Sequence, residues 1–66
     1  MTREELRAQT EATLSANNIR RGNGGKFRNT AYNAAMSVIR QEFPGDSNRE
    51  RLQRRSVAIE YVGGER

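Results

Sequence analysis

The chain has no cysteine and no histidine in its 66 residues. The first absence removes disulfides and thiolate sites. The second removes the commonest metal ligand and the commonest general base. Tryptophan is also missing, proline occurs once, and Lys26 is the only lysine. No apolar run approaches the roughly 20 residues that cross a bilayer, and the first residues lack the apolar stretch of an export signal. The expectation is a soluble, cytoplasmic protein with no membrane partner, cofactor or metal.

Catalysis has little to stand on. Ser15, Ser37, Ser47 and Ser56 have no histidine to activate them. Glu4, Glu5 and Glu11 fall on an exposed helix with nothing to raise a carboxylate pKa. Lys26 sits among glycines, where water keeps its amine protonated. The composition therefore predicts a binding module and not an enzyme.

What is present is positive charge, and it is unevenly placed. Twelve cations face eight acids, and eleven of the twelve are arginine. Residues 18–41 hold Arg20, Arg21, Lys26, Arg28 and Arg40 and no acid, whereas the two flanking thirds are close to neutral. Such a block suits phosphate or an acidic protein surface.

Three helices are expected. Thr2 and Glu5 are spaced as a capping box, and Leu6, Thr10, Thr13 and Leu14 form a thin stripe, giving a helix over about 3–16. Tyr32, Ala35, Met36, Ile39 and Phe43 recur with the helical period, widened by Ala31 and Val38. They predict a second helix over about 30–42, capped by Asn29 or Thr30 and stopped by Pro44-Gly45. Ser47 and Glu50 repeat the capping-box spacing and open a third helix over about 47–62. Its apolar stripe is read as Leu52, Ser56, Ile59 and Val62, with Gly63-Gly64 as the C-cap. Alternating Val57, Ile59 and Tyr61 would also suit a strand, but no second strand is available to pair with it. The fold class is thus all-α: one small three-helix domain over 1–62, a frayed tail at 63–66, and a long basic Gly/Asn-rich loop at 17–29.

Within that loop, Gly22-Asn23-Gly24-Gly25-Lys26 precedes a helix and could cradle phosphate. It is not a nucleotide-hydrolase loop, because Phe27 stands where Ser or Thr is needed and no strand comes before it. Phe27 lies among Arg20, Arg21, Lys26 and Arg28, an interleaving that suits single-stranded nucleic acid, although the ring could equally pack inward. Arg51, Arg54 and Arg55 could line an exposed face of the third helix and meet phosphate. That helix carries more apolar side chains than one face needs, which predicts a homodimer with Val57, Tyr61 and Val62 at or near the contact.

Phe27-Arg28, Ala31-Tyr32, Ala34-Ala35 and Ile39 read F-R-x-x-A-Y-x-A-A-x-x-x-I. This resembles a helix of the small N-terminal DNA-binding domain of family X DNA polymerases, and the resemblance implies a helical, DNA-binding module. It covers residues 27–39 only. The helix-hairpin-helix turn of that family has no counterpart here, and neither do its lyase lysines, so no lyase activity is implied. Size and arginine richness also resemble those of small accessory proteins of bacteriophages or bacteria. The leading expectation is a non-enzymatic nucleic-acid-binding module, DNA favoured, that acts by occupancy. The alternative is a regulator or inhibitor docking on an acidic protein surface.

Overall fold

The computed structural model describes residues 1–22 and 28–64. Three helices follow one another, α1 (Arg3–Ala16), α2 (Arg28–Glu42) and α3 (Asn48–Gly63), and each packs on the other two. There is no strand among the described residues, so Val57–Val62 is helical.

Two helix starts are fixed as their sequences dictate. Thr2 Oγ1 accepts from the Glu5 N–H at 3.1 Å, and Glu5 Oε1 accepts from the Thr2 N–H at 2.8 Å. At α3, Ser47 Oγ accepts from the Glu50 N–H at 3.2 Å and Glu50 Oε1 from the Ser47 N–H at 2.9 Å. Both boxes satisfy backbone donors that a helix start leaves open. The backbone N–H of Thr2 holds the Glu5 carboxyl below its ordinary range, and that of Ser47 does the same for Glu50.

The second helix begins at Arg28, so Asn29 and Thr30 lie in its first turn instead of capping it. The chain leaves α1 through Asn17, whose side chain donates to the Thr13 carbonyl at 2.9 Å, and Asn18, which takes a left-handed φ of 65°. The third helix runs through Gly63, and Gly64 caps it at φ 74°.

Gly22 meets that cap. Its N–H donates to the Tyr61 carbonyl at 2.8 Å, and a Cβ on Gly64 would stand 3.0 Å from the Gly22 Cα. Both residues have positive φ, so this close approach needs glycine on each side.

The core forms from Leu14 of α1, Ala31, Ala35 and Ile39 of α2, and Ala58, Tyr61 and Val62 of α3. Ala35 and Ala58 are fully buried, and such small side chains let helix backbones approach closely. Ile19, Met36, Val38 and Phe43 pack around this cluster. Ile39→Ala should cost about 2–5 kcal/mol, whereas Ser37→Ala on the exposed side should stay within about 0.5 kcal/mol. Thermal melts showing equal losses would mean that α2 is buried all round.

One expectation about α3 is overturned. Its inward face is Arg54, Val57, Ala58, Tyr61 and Val62, while Leu52 is 65% and Ile59 38% exposed. The apolar count pointed to the other side because it scored an arginine as outward.

Arg54 is in fact buried at 3% exposure. Its Nε donates to Asp46 Oδ2 at 2.7 Å and its Nη1 to Thr10 Oγ1 at 2.9 Å. Its guanidinium carbon lies 3.6 Å from the centre of the Phe43 ring. Thr10 in turn donates to the Leu6 carbonyl at 2.7 Å. With Arg54 inward, Val57, Ala58 and Tyr61 follow at i+3, i+4 and i+7. This also corrects the self-association surface: Val57, Tyr61 and Val62 are 5%, 5% and 1% exposed inside their own domain and offer nothing to a second copy.

Candidate functional site

Ion pairs engage Arg7 and Arg21 on the α1 side, while the exposed cations beside α2 have no such partners among the described residues. On the α1 side, Arg7 Nη1 lies 2.8 Å from Glu60 and 3.8 Å from Glu11. Arg21 Nη2 lies 2.9 Å from Glu11, and its guanidinium carbon is 4.8 Å from the centre of the Tyr61 ring. Tyr61 donates its hydroxyl to the Ile19 carbonyl at 2.7 Å, which ties the chain after α1 onto α3. A wide, open depression there is lined by Ala8, Glu11, Ala12, Ile19, Arg20 and Arg21 among others. Its acid is already bonded to Arg21, which leaves Arg20 as the cation of this depression without an ion pair among the described residues.

The opposite edge, where α2 runs beside α3, differs. Pro44-Gly45 turns the chain back, so the last turns of α2 meet the first turns of α3. A hollow of about 390 Å³ lies between them, lined by Met36, Ile39, Arg40, Phe43, Pro44, Asp46 and Arg51. A second hollow of about 280 Å³ is lined by Asn29, Tyr32, Arg55, Ile59 and Val62. Arg55 Nε donates to the Tyr32 hydroxyl at 3.0 Å, which fixes the guanidinium beside the ring. Among the described residues the only acid lining either hollow is Asp46, and Arg54 pairs with it. Arg40, Arg51 and Arg55 have no ion pair among the described residues and are exposed.

The sequence-based candidates are therefore redistributed. Arg51 and Arg55 stand on the positive edge as expected. Arg54 does not, because Asp46, Thr10 and Phe43 hold it inside the fold. Arg20 is exposed, on the far side beside α1, and Arg21 is engaged with Glu11. Lys26, Phe27 and the side chain of Arg28 lie outside the described residues. Arg20 and Arg21 thus share no face with Arg51 and Arg55.

Sequence reasoning missed Arg40, Tyr32 and Met36 as site residues. A signal for Arg40 existed: a short turn makes α2 and α3 antiparallel neighbours, so cations a few residues before and after Pro44-Gly45 must come opposite each other. Tyr32 and Met36 were read as core. They are only half-buried and edge the hollows. Of the residues in the polymerase-like pattern, Ala31, Ala35 and Ile39 are in the core, and Tyr32 edges the second hollow.

No group of three or more potential metal ligands exists among the described residues. Nor is any described helix long and apolar enough to cross a membrane. The carboxyls held low, Glu5 and Glu50, are bonded into helix caps and are not aimed at a cleft. The α2–α3 edge thus brings exposed guanidinium groups and apolar walls together in its two hollows. Comparison with family models, curated proteins and solved structures returns no match.

Proposed function

We propose that this protein is a small, non-enzymatic nucleic-acid-binding module, and that the α2–α3 edge is its contact surface. The observation that carries this reading is the gathering of free cations on two neighbouring hollows. Three arginines are bonded to acids on other parts of the molecule or in its interior. Arg40, Arg51 and Arg55 line the α2–α3 hollows and, like Arg3, Arg20 and Arg49 elsewhere on the surface, have no ion pair among the described residues. Uncompensated guanidinium groups in a row suit successive phosphates, which they bind through forked, charge-assisted hydrogen bonds. With no acid–base set beside it, such a surface acts by coating, positioning or blocking.

A second reading has its own support. Leu52 is 65% and Ile59 38% exposed on the same helix as Arg51 and Arg55, a mixture that suits an acidic protein surface with apolar patches.

Fluorescence anisotropy with random DNA and RNA at two salt concentrations separates them. Three phosphate contacts give a log–log salt slope of about −2.1 for single strands and about −2.7 for duplex, so affinity should fall about 20–40-fold between 50 and 200 mM salt. Arg40→Ala, Arg51→Ala and Arg55→Ala combined should remove most of that slope and leave helicity unchanged. A salt-steep affinity that survives the triple substitution would move the site elsewhere. Absence of binding at low salt would favour the acidic protein partner.

A further inference from the structure

Resting on the nucleic-acid reading, we infer that the α2–α3 edge is built for a single strand, with unstacked bases entering its two hollows while Arg40, Arg51 and Arg55 hold the backbone. The argument begins with the aromatic residues. The chain has four, and two of them, Tyr32 and Phe43, line the hollows of this edge. Both are half-buried, with part of each side chain still open to solvent.

Each ring is held in place and has a cation near it. Arg54 lies 3.6 Å from the centre of the Phe43 ring and is itself held by Asp46 and Thr10, so the ring is clamped from within. Arg40 and Arg51 line the same hollow. Tyr32 is fixed through its hydroxyl by Arg55, which lines the second hollow with Ile59. A rigid ring with a guanidinium beside it is what a base and its phosphate need, because every base has a π-face and stacking adds to the backbone contact. Met36 adds a polarisable thioether to the wall of the first hollow.

The geometry disfavours a duplex. In a duplex the bases are stacked and paired, and only phosphates and groove edges reach a protein. The apolar walls of both hollows would then face water or sugar and gain nothing. Their volumes, about 390 and 280 Å³, lie at the small end for ligand sites and admit a flat ring more readily than a folded chain. Tyr32 and Phe43 are eleven positions apart along α2 and its C-terminal turn, roughly 16 Å at the helical rise. That span corresponds to roughly five nucleotides at the 3.4 Å spacing of a stacked strand, and fewer if the strand is extended.

The test changes the ligand and leaves the protein intact, so folding is not at issue. Anisotropy would be measured at one low salt concentration with a fifteen-nucleotide oligothymidine, with a strand of the same length whose central residues are abasic, and with a fifteen-base-pair duplex. The abasic strand keeps every phosphate and loses the π-faces. Oligothymidine should bind about tenfold or more tightly than either competitor, with a salt slope close to that of the abasic strand. Equal affinity for the abasic strand, or a duplex bound as tightly as oligothymidine, would overturn the single-strand inference and leave nucleic-acid binding in place. If none of the three binds, the nucleic-acid reading itself falls, and the edge passes to an acidic protein partner.

Discussion

Replacing Arg54 by alanine should destabilise the domain by about 3–5 kcal/mol. A chain of this length has roughly 3–10 kcal/mol in total, so the loss takes up from about a third to all of it. The cost arises mainly at Asp46. Its carboxylate, 8% exposed, accepts from Arg54 Nε at 2.7 Å, and without that partner a charge stays shielded from water. Thr10 suffers less, because its hydroxyl still donates to the Leu6 carbonyl. Phe43 loses the cation over its ring. Removing both charges should therefore recover much of the loss: Arg54→Met with Asp46→Ala should be markedly more stable than Arg54→Ala alone, since an apolar side chain of similar length fills the space without a desolvated ion. Urea titrations of the three proteins form the comparison. A loss under about 1 kcal/mol for Arg54→Ala would show that water reaches Asp46 and that the network contributes little.

Tyr61→Asp should be at least as damaging. The ring is 5% exposed, and truncating a large buried aromatic side chain typically costs about 3–5 kcal/mol. Aspartate adds a carboxylate to that apolar site. The Ile19 carbonyl loses its 2.7 Å donor and Arg21 loses the ring beneath it, so the chain after α1 keeps the Gly22 backbone bond to α3 but loses both side-chain ties. Circular dichroism should show loss of helix at room temperature. Leu52→Asp introduces the same charge on the same helix at a position 65% exposed, and should shift the melt by about 0.5 kcal/mol or less. Comparable losses at both positions would place the outer side of α3 in contact with another chain.

Helix number and order could be read from the sequence because the signals for them are local. Capping boxes at Thr2/Glu5 and Ser47/Glu50, an asparagine pair after α1 and Pro44-Gly45 after α2 each act within a few residues of themselves. The facing of α1 and α2 was also legible, since Leu6, Thr10 and Leu14, and Ala31, Ala35 and Ile39, keep the helical period with few competitors. The third helix has apolar residues on two sides, and what turns it is Arg54 pairing with Asp46, Thr10 and Phe43. Thr10 lies 44 positions away in the chain, and no local pattern announces such a partner. The same non-local pairing hid the site: which arginines are free depends on where Glu11, Glu60 and Asp46 come to rest. Arg21, in the acid-free middle third, is neutralised by an acid from α1, whereas Arg51 and Arg55, in a segment of zero net charge, have no ion pair among the described residues.

The meeting of Gly22 with the end of α3 changes how the connection between α1 and α2 counts in the thermodynamics of the chain. Gly22 is bonded to the Tyr61 carbonyl, and Arg28 already belongs to α2. The two ends of the five intervening residues are therefore tied to α3 on one side and to α2 on the other. Lengthening a chain between two fixed ends costs entropy that grows only with the logarithm of its length, about 0.6 kcal/mol for each doubling. A foreign peptide inserted between Gly22 and Arg28 would add little to the cost of folding. The three-helix body could thus serve as a scaffold for displaying such a segment, provided that Gly22 and Gly64 are left as they are.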